Sequence, residues 1–73
     1  MKQELVSKIG LEIRIYCEGN IVLEGILKRV YMKDFLEIDV KGLNPGDGNL
    51  FHLSRPISHT VYLSKIIAFY EKK

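Results

Sequence analysis

The chain has 73 residues, 47% of them hydrophobic, with eleven Lys and Arg against nine Asp and Glu and a net charge of +2. That is one domain with a bias too mild to be a nucleic-acid signature, with no apolar run near the ~18 residues of a membrane span, and with a lone cysteine, Cys17, that excludes an internal disulfide. A domain of this size buries only about 60% of its unfolded surface, and no CxxC or HxxxH spacing offers a structural metal. Part of so apolar a chain is therefore expected to be covered by a partner subunit.

The N-terminal stretch "KQELVSKI" is the one helix candidate, with Leu5, Val6 and Ile9 at helical spacing and Gly10 as the stop. Under three turns, residues 1–10 form either a packed helix or a frayed arm. From Leu11 the period becomes two. Leu11, Ile13, Ile15 and Cys17 point one way, and Glu12, Arg14, Tyr16 and Glu18 the other, which predicts a half-buried strand. Gly19-Asn20 suits the positive φ values of a tight hairpin turn.

A second strand is predicted from Ile21 to Tyr31, about twice the average length. Ile21, Leu23, Gly25 and Leu27 share its inward face. A strand this long must bend around a small core, and Gly25 is where the missing side chain permits it. "MKD" (32–34) turns the chain into "FLEIDV", with Leu36, Ile38 and Val40 inward. Residues 41–58 read as a variable loop or strand extension: "KGLNPGDGN" is a cluster of breakers, and Arg55-Pro56 is expected to interrupt any strand. "HTVYL" and "IAFYEKK" are the fourth and fifth strands, joined by a short turn at "SKI". The predicted fold is mostly β: a short N-terminal helix, then a five-stranded, strongly bent antiparallel meander closing into a small barrel over residues 1–73.

The pair "EIRIYCEGNIVLEGIL", the bend at Gly25 and the late "VYLSKIIAFY" resemble the Sm-like small barrels, which include the Sm and Lsm proteins and the bacterial Hfq RNA chaperones. The resemblance implies a homo-oligomeric ring of six or seven subunits. In it "HTVYL" of one subunit pairs head-to-tail with "IIAFY" of the next, and single-stranded RNA is the ligand. The family's polar pair after the bent strand, an aspartate and then an asparagine, is replaced here by Tyr31 and Phe35. The late Arg-Gly pair of Sm proteins is absent. Of the Tyr-Lys-His of Hfq only Tyr62 remains, with Leu63 and Ser64 following it. The scaffold of the family is matched, and its nucleic-acid signature mostly is not.

Two readings follow. The first is a ring that binds RNA, with Tyr31, Lys33, Phe35 and Tyr62 as contacts and Arg29 and Arg55 for phosphates. In this reading the aromatics form a stacking platform. The second is a structural or protein-interaction barrel that oligomerises without nucleic acid, in which the same aromatics pack a corner. Strict alternation places Lys28 and Arg29 on opposite faces, so they form no patch unless a ring repeats them. His52 and His59 stand seven apart across a proline without a third ligand, so no metal is expected. Ser54, Ser58 and Ser64 lack a nucleophile-elbow glycine motif, so no catalysis and no cofactor are expected. The exposed apolar residues of "LFHLSRPI" point again to assembly. The absent signal-peptide core in "MKQELVSKIG" and the lone thiol lead to the expectation of a soluble, cytoplasmic protein with no membrane partner.

Overall fold

The computed structural model describes residues 2–31 and 34–72. Its elements are α1 (Lys2–Val6), β1 (Glu12–Cys17), β2 (Ile21–Tyr31), β3 (Phe35–Asn44), β4 (Phe51–Tyr62) and β5 (Ile66–Glu71). Short 3₁₀ turns at Glu18–Asn20 and Leu63–Lys65 join β1 to β2 and β4 to β5. All strand pairs are antiparallel, in the order β4-β3-β2-β1-β5.

The period-two pattern builds the core. Ile13, Ile15 and Cys17 from β1, Leu23 and Leu27 from β2, and Leu36, Ile38 and Val40 from β3 are buried together with Leu5 and Ile66. Full burial of each large aliphatic side chain is worth about 1.5–3 kcal/mol. The β1–β2 connection follows the expectation: Gly19 and Asn20 take φ of 79° and 62°, the left-handed region that glycine and asparagine adopt most readily.

The helix is shorter than its apolar spacing suggests. It ends at Val6, and of the three spaced residues only Leu5 is buried, while Val6 and Ile9 are exposed. A second turn would have no core to bury against, so the chain leaves the helix early. Gly10, at φ +89°, donates its N–H to the Leu27 carbonyl at 2.8 Å and starts the pairing with β2. Leu11, expected inward, lies before β1 and is exposed.

Two irregularities shape the long β2–β3 hairpin. Glu24 pairs with Gly42 but Gly25 with Val40, so Lys41 is an extra residue on β3. Here Gly25 permits a close approach between neighbouring strands of one sheet. An added Cβ would lie 1.9 Å from the Asp39 carbonyl oxygen. Further on, Leu27 pairs with Ile38 and Arg29 with Glu37, which leaves Lys28 as a bulge on β2. Bulges bend the strand and break its alternation. Val30 therefore turns to pack against the core, and Lys28 and Arg29 do not take opposite faces as alternation requires. Arg29 lies opposite Glu37, and Lys28 reaches Asp39 at 3.4 Å, so both cations belong to the outward face of the hairpin.

The segment 41–58 is divided differently from the expectation. Residues 41–44 complete β3, a loop follows, and β4 runs unbroken from Phe51 through Pro56 to Tyr62. Pro56 is tolerated for two reasons: β4 is an edge strand, and its register slips there, since Val40 pairs with Ile57 but Gly42 with His52. A proline in such a stretch removes no ladder hydrogen bond. The sheet does not close: β4 and β5 are its two outer strands and do not pair with each other among the described residues. No helix among these residues is long and apolar enough to cross a membrane.

Candidate functional site

Three of the predicted contact residues meet on the outward face where β2 turns into β3. Tyr31 pairs with Phe35, and Phe35 with Tyr62, so three adjacent strands each contribute one aromatic ring. Tyr31 and Phe35 are stacked with centroids 4.6 Å apart, and Phe35 meets Tyr62 edge-on at 6.0 Å. Contacts of this kind contribute about 0.5–1.5 kcal/mol beyond their buried area. Asp34 holds the turn at φ +64°, and its carbonyl accepts from the Leu63 N–H at 2.9 Å, tying the end of β4 to the turn. Tyr62 remains 60% exposed.

Arg29 joins this face, two residues before Tyr31 and opposite Glu37. Glu37 accepts a long hydrogen bond from the Tyr31 hydroxyl at 3.4 Å. Among the described residues, Arg29 and Glu37 thus stand beside the three aromatic rings. Lys33 lies outside the described residues. Arg55 is exposed, but it falls in the slipped part of β4, beyond the Val40–Ile57 pair, and does not join the aromatic cluster. His52 and His59 lie opposite Gly42 and Ile38 and are exposed. No group of three His, Cys, Asp or Glu among the described residues is placed to hold a metal ion.

A cavity of about 490 Å³ opens between β4 and the two 3₁₀ turns, with Cys17, Ile21, Leu23, Leu43 and Val61 in its wall. The Lys65–Glu18 ion pair, 3.5 Å, lies at its rim. Burial pushes the Cys17 thiol up from its ordinary value, which makes it a poor nucleophile.

The second cluster was not legible from spacing. Glu24, in the middle of β2, is buried to 2% exposure although it lies on the outward face. Arg14 of β1 pairs with it across the strands and forms an ion pair with its carboxylate. Lys72 reaches the same carboxylate at 3.0 Å, and Gly42 lies opposite Glu24 on β3. Lys72 also contacts Glu12 at 3.4 Å, and Lys41 approaches Glu12 at 3.7 Å. Beside this network Arg14 donates to the Tyr70 hydroxyl at 3.1 Å, and the Tyr16 and Tyr70 hydroxyls are 3.2 Å apart. Hydrogen bonding to Tyr70 and then to Arg14 lowers the Tyr16 phenol below its ordinary value. Hydrogen bonding to Tyr16 and then burial raise Tyr70. Alternation does place Arg14 and Tyr16 on one face of β1. Only the β1–β5 pairing, Arg14 with Tyr70, completes the group.

Comparison with known proteins adds no relative: no family model matches the chain, and a search of curated proteins returns no significant match.

Proposed function

We propose that the chain is a non-catalytic, Sm-like module that assembles into a ring and binds single-stranded RNA. The observation that carries this reading is the gathering of Tyr31, Phe35 and Tyr62 on one outward face, with Arg29 beside them. Single-strand binders combine aromatic rings, on which bases stack, with cations that follow the backbone. One Arg per subunit is a weak attraction, and a ring of six or seven copies multiplies it. Assembly is supported by the two uncovered edges. Phe51 and Ile57 on β4 and Ile67 on β5 are exposed apolar side chains, and free edge strands invite pairing. Pairing β4 of one copy with β5 of the next is head-to-tail and closes a ring if the rotation allows. Such a ring would pair both free edges of every copy in one continuous sheet, and the lone thiol fits a cytoplasmic setting.

A second reading is favoured by a specific observation. Tyr31 and Phe35 already occupy each other's faces at 4.6 Å, and Glu37 sits among them. On that reading the cluster is a packed corner of a protein-interaction module, and only Tyr62 offers an open ring.

Titration of fluorescent oligo-U and oligo-A RNA across a salt series separates the two. The RNA reading expects binding that tightens as salt falls, since phosphate contacts release counterions. It also expects a loss of about 1–3 kcal/mol in Tyr62→Ala, the value of one base–aromatic stack. Absence of binding at low salt would leave the interaction module as the surviving account.

A further inference from the structure

We infer that the outward face of β1 and β5 carries an anion site, formed by Arg14, Tyr16 and Tyr70, that takes a phosphate monoester. The argument begins with the protons. Arg14 donates through Nη1 to the Tyr70 hydroxyl, which lies 3.2 Å from the Tyr16 hydroxyl. Two phenols carry two protons, and only one can lie in the bond between them. Whichever hydroxyl donates, one phenolic O–H has no acceptor within the cluster. It stands beside a guanidinium that cannot lose its charge.

The nearby carboxylate does not cancel that charge. Glu24 is shared between Arg14 and Lys72, and Glu12 between Lys72 and Lys41, so among the described residues of this network three cations face two carboxylates. Glu24 holds the Nη2 side of the guanidinium from beneath and leaves the Nη1 side toward the phenols and solvent. The group is therefore a fixed cation with a spare hydroxyl donor on a rigid pair of strands. A tetrahedral oxyanion accepts from both, and charge-assisted hydrogen bonds are the stronger kind. A phosphate monoester presents three acceptor oxygens in a tetrahedral array, enough to meet the Nη1 donor and the spare hydroxyl together, where a carboxylate presents two in one plane. Tyr16, lowered by its hydrogen bonds to Tyr70 and then Arg14, is the stronger donor of the pair. The site does not involve Tyr31, Phe35 or Tyr62 and does not depend on RNA binding.

The test is an NMR titration of the folded chain, following the tyrosine ring resonances. The additions are inorganic phosphate, adenosine monophosphate, adenosine, and sodium chloride at matched ionic strength. Saturable shifts of Tyr16 and Tyr70 are expected with phosphate and with the monophosphate, and none with adenosine. Tyr16→Phe removes the hydroxyl that donates to the anion and should weaken binding about tenfold or more, as loss of a hydrogen bond to a charged group does, whereas Tyr70→Phe leaves that donor in place and should weaken it less. The proposal is overturned if chloride reproduces the shifts, if adenosine binds as well as its monophosphate, or if the double Phe variant keeps its affinity. If free phosphate binds and the monophosphate does not, the monoester is rejected. Shifts at Tyr31 and Tyr62 instead would report the aromatic face, so failure of one site is distinguishable from failure of the other.

Discussion

Replacing Gly25 by alanine adds a single methyl group at the most crowded point of the sheet. The new Cβ would lie 1.9 Å from the Asp39 carbonyl oxygen, 2.7 Å from its carbonyl carbon and 2.9 Å from Val40 Cα. All three are backbone atoms, so no side chain can swing aside. Relief requires β2 and β3 to separate where their register already slips between Glu24 and Gly25. Overpacking of a core by a methylene typically costs about 1–3 kcal/mol, and a clash against backbone belongs at or above the upper end. A chain of this length is expected to have roughly 4–11 kcal/mol of total stability. A 3 kcal/mol loss corresponds to a fall in Tm of about 12–24 °C. Thermal unfolding followed by far-UV circular dichroism measures this directly. Gly48→Ala is the control: its φ of +90° strains any side chain, but a Cβ there meets nothing within 4 Å, so the cost should be only about 1–2 kcal/mol. A Gly25→Ala chain melting within 3 °C of the parent would refute the claim that contact at Asp39 sets this position.

Removing the carboxylate in Glu24→Ala strands Arg14 and Lys72 without their shared partner. A loss of about 2–3 kcal/mol is expected in urea unfolding, below the ~3–5 of a fully buried pair because both cations still touch water; a loss under 1 kcal/mol would refute the buried-anchor role. Because burial raises the Cys17 thiol, the folded chain keeps a proton that the unfolded chain releases, so stability is fully present below the ordinary thiol range and falls as pH rises through it. The fall should exceed that of Cys17→Val, and a native thiol that reacts with a disulfide reagent as fast as in urea would contradict its burial. Ile67→Lys places a charge on the free β5 edge at a side chain that is 67% exposed. It should yield folded monomer by light scattering where the parent assembles, and a parent that is itself monomeric at tens of micromolar would remove the case for the ring.

Much of the fold follows from local pattern. Alternation in Ile13, Ile15 and Cys17 and in Leu36, Ile38 and Val40 identifies the core face, because side chains on a strand point to opposite sides in turn. Gly19-Asn20 identifies its turn because few residues accept positive φ. The rule fails where a residue is inserted. The Lys28 bulge turns Val30 inward and keeps Arg29 on the outward face with Lys28, and nothing in the composition of "LKRVY" announces it. Pro56 misleads for a related reason: a proline interrupts a central strand, but which strand is an edge depends on partners remote in the chain.

The aromatic site was half legible. Tyr31 and Phe35 flank a visible turn, so their proximity follows from the hairpin, and Tyr62 stands out only through its resemblance to a known motif. That all three share one face, and that Arg55 does not join them, required the β3–β4 register. Glu24, Arg14, Tyr16 and Tyr70 were invisible as a group, since β5 lies beside β1 at a separation of more than fifty residues.

By itself the sequence determines the buried faces of β1, of β2 up to its bulge and of β3, and the Gly19-Asn20 turn, because these depend on steric and hydrophobic preferences within a few residues. Tertiary structure alone decides which strands are edges, where registers slip and which polar side chains meet across β1, β2 and β5. Those outcomes depend on backbone pairing between distant segments, where a one-residue shift moves every side chain to the other face.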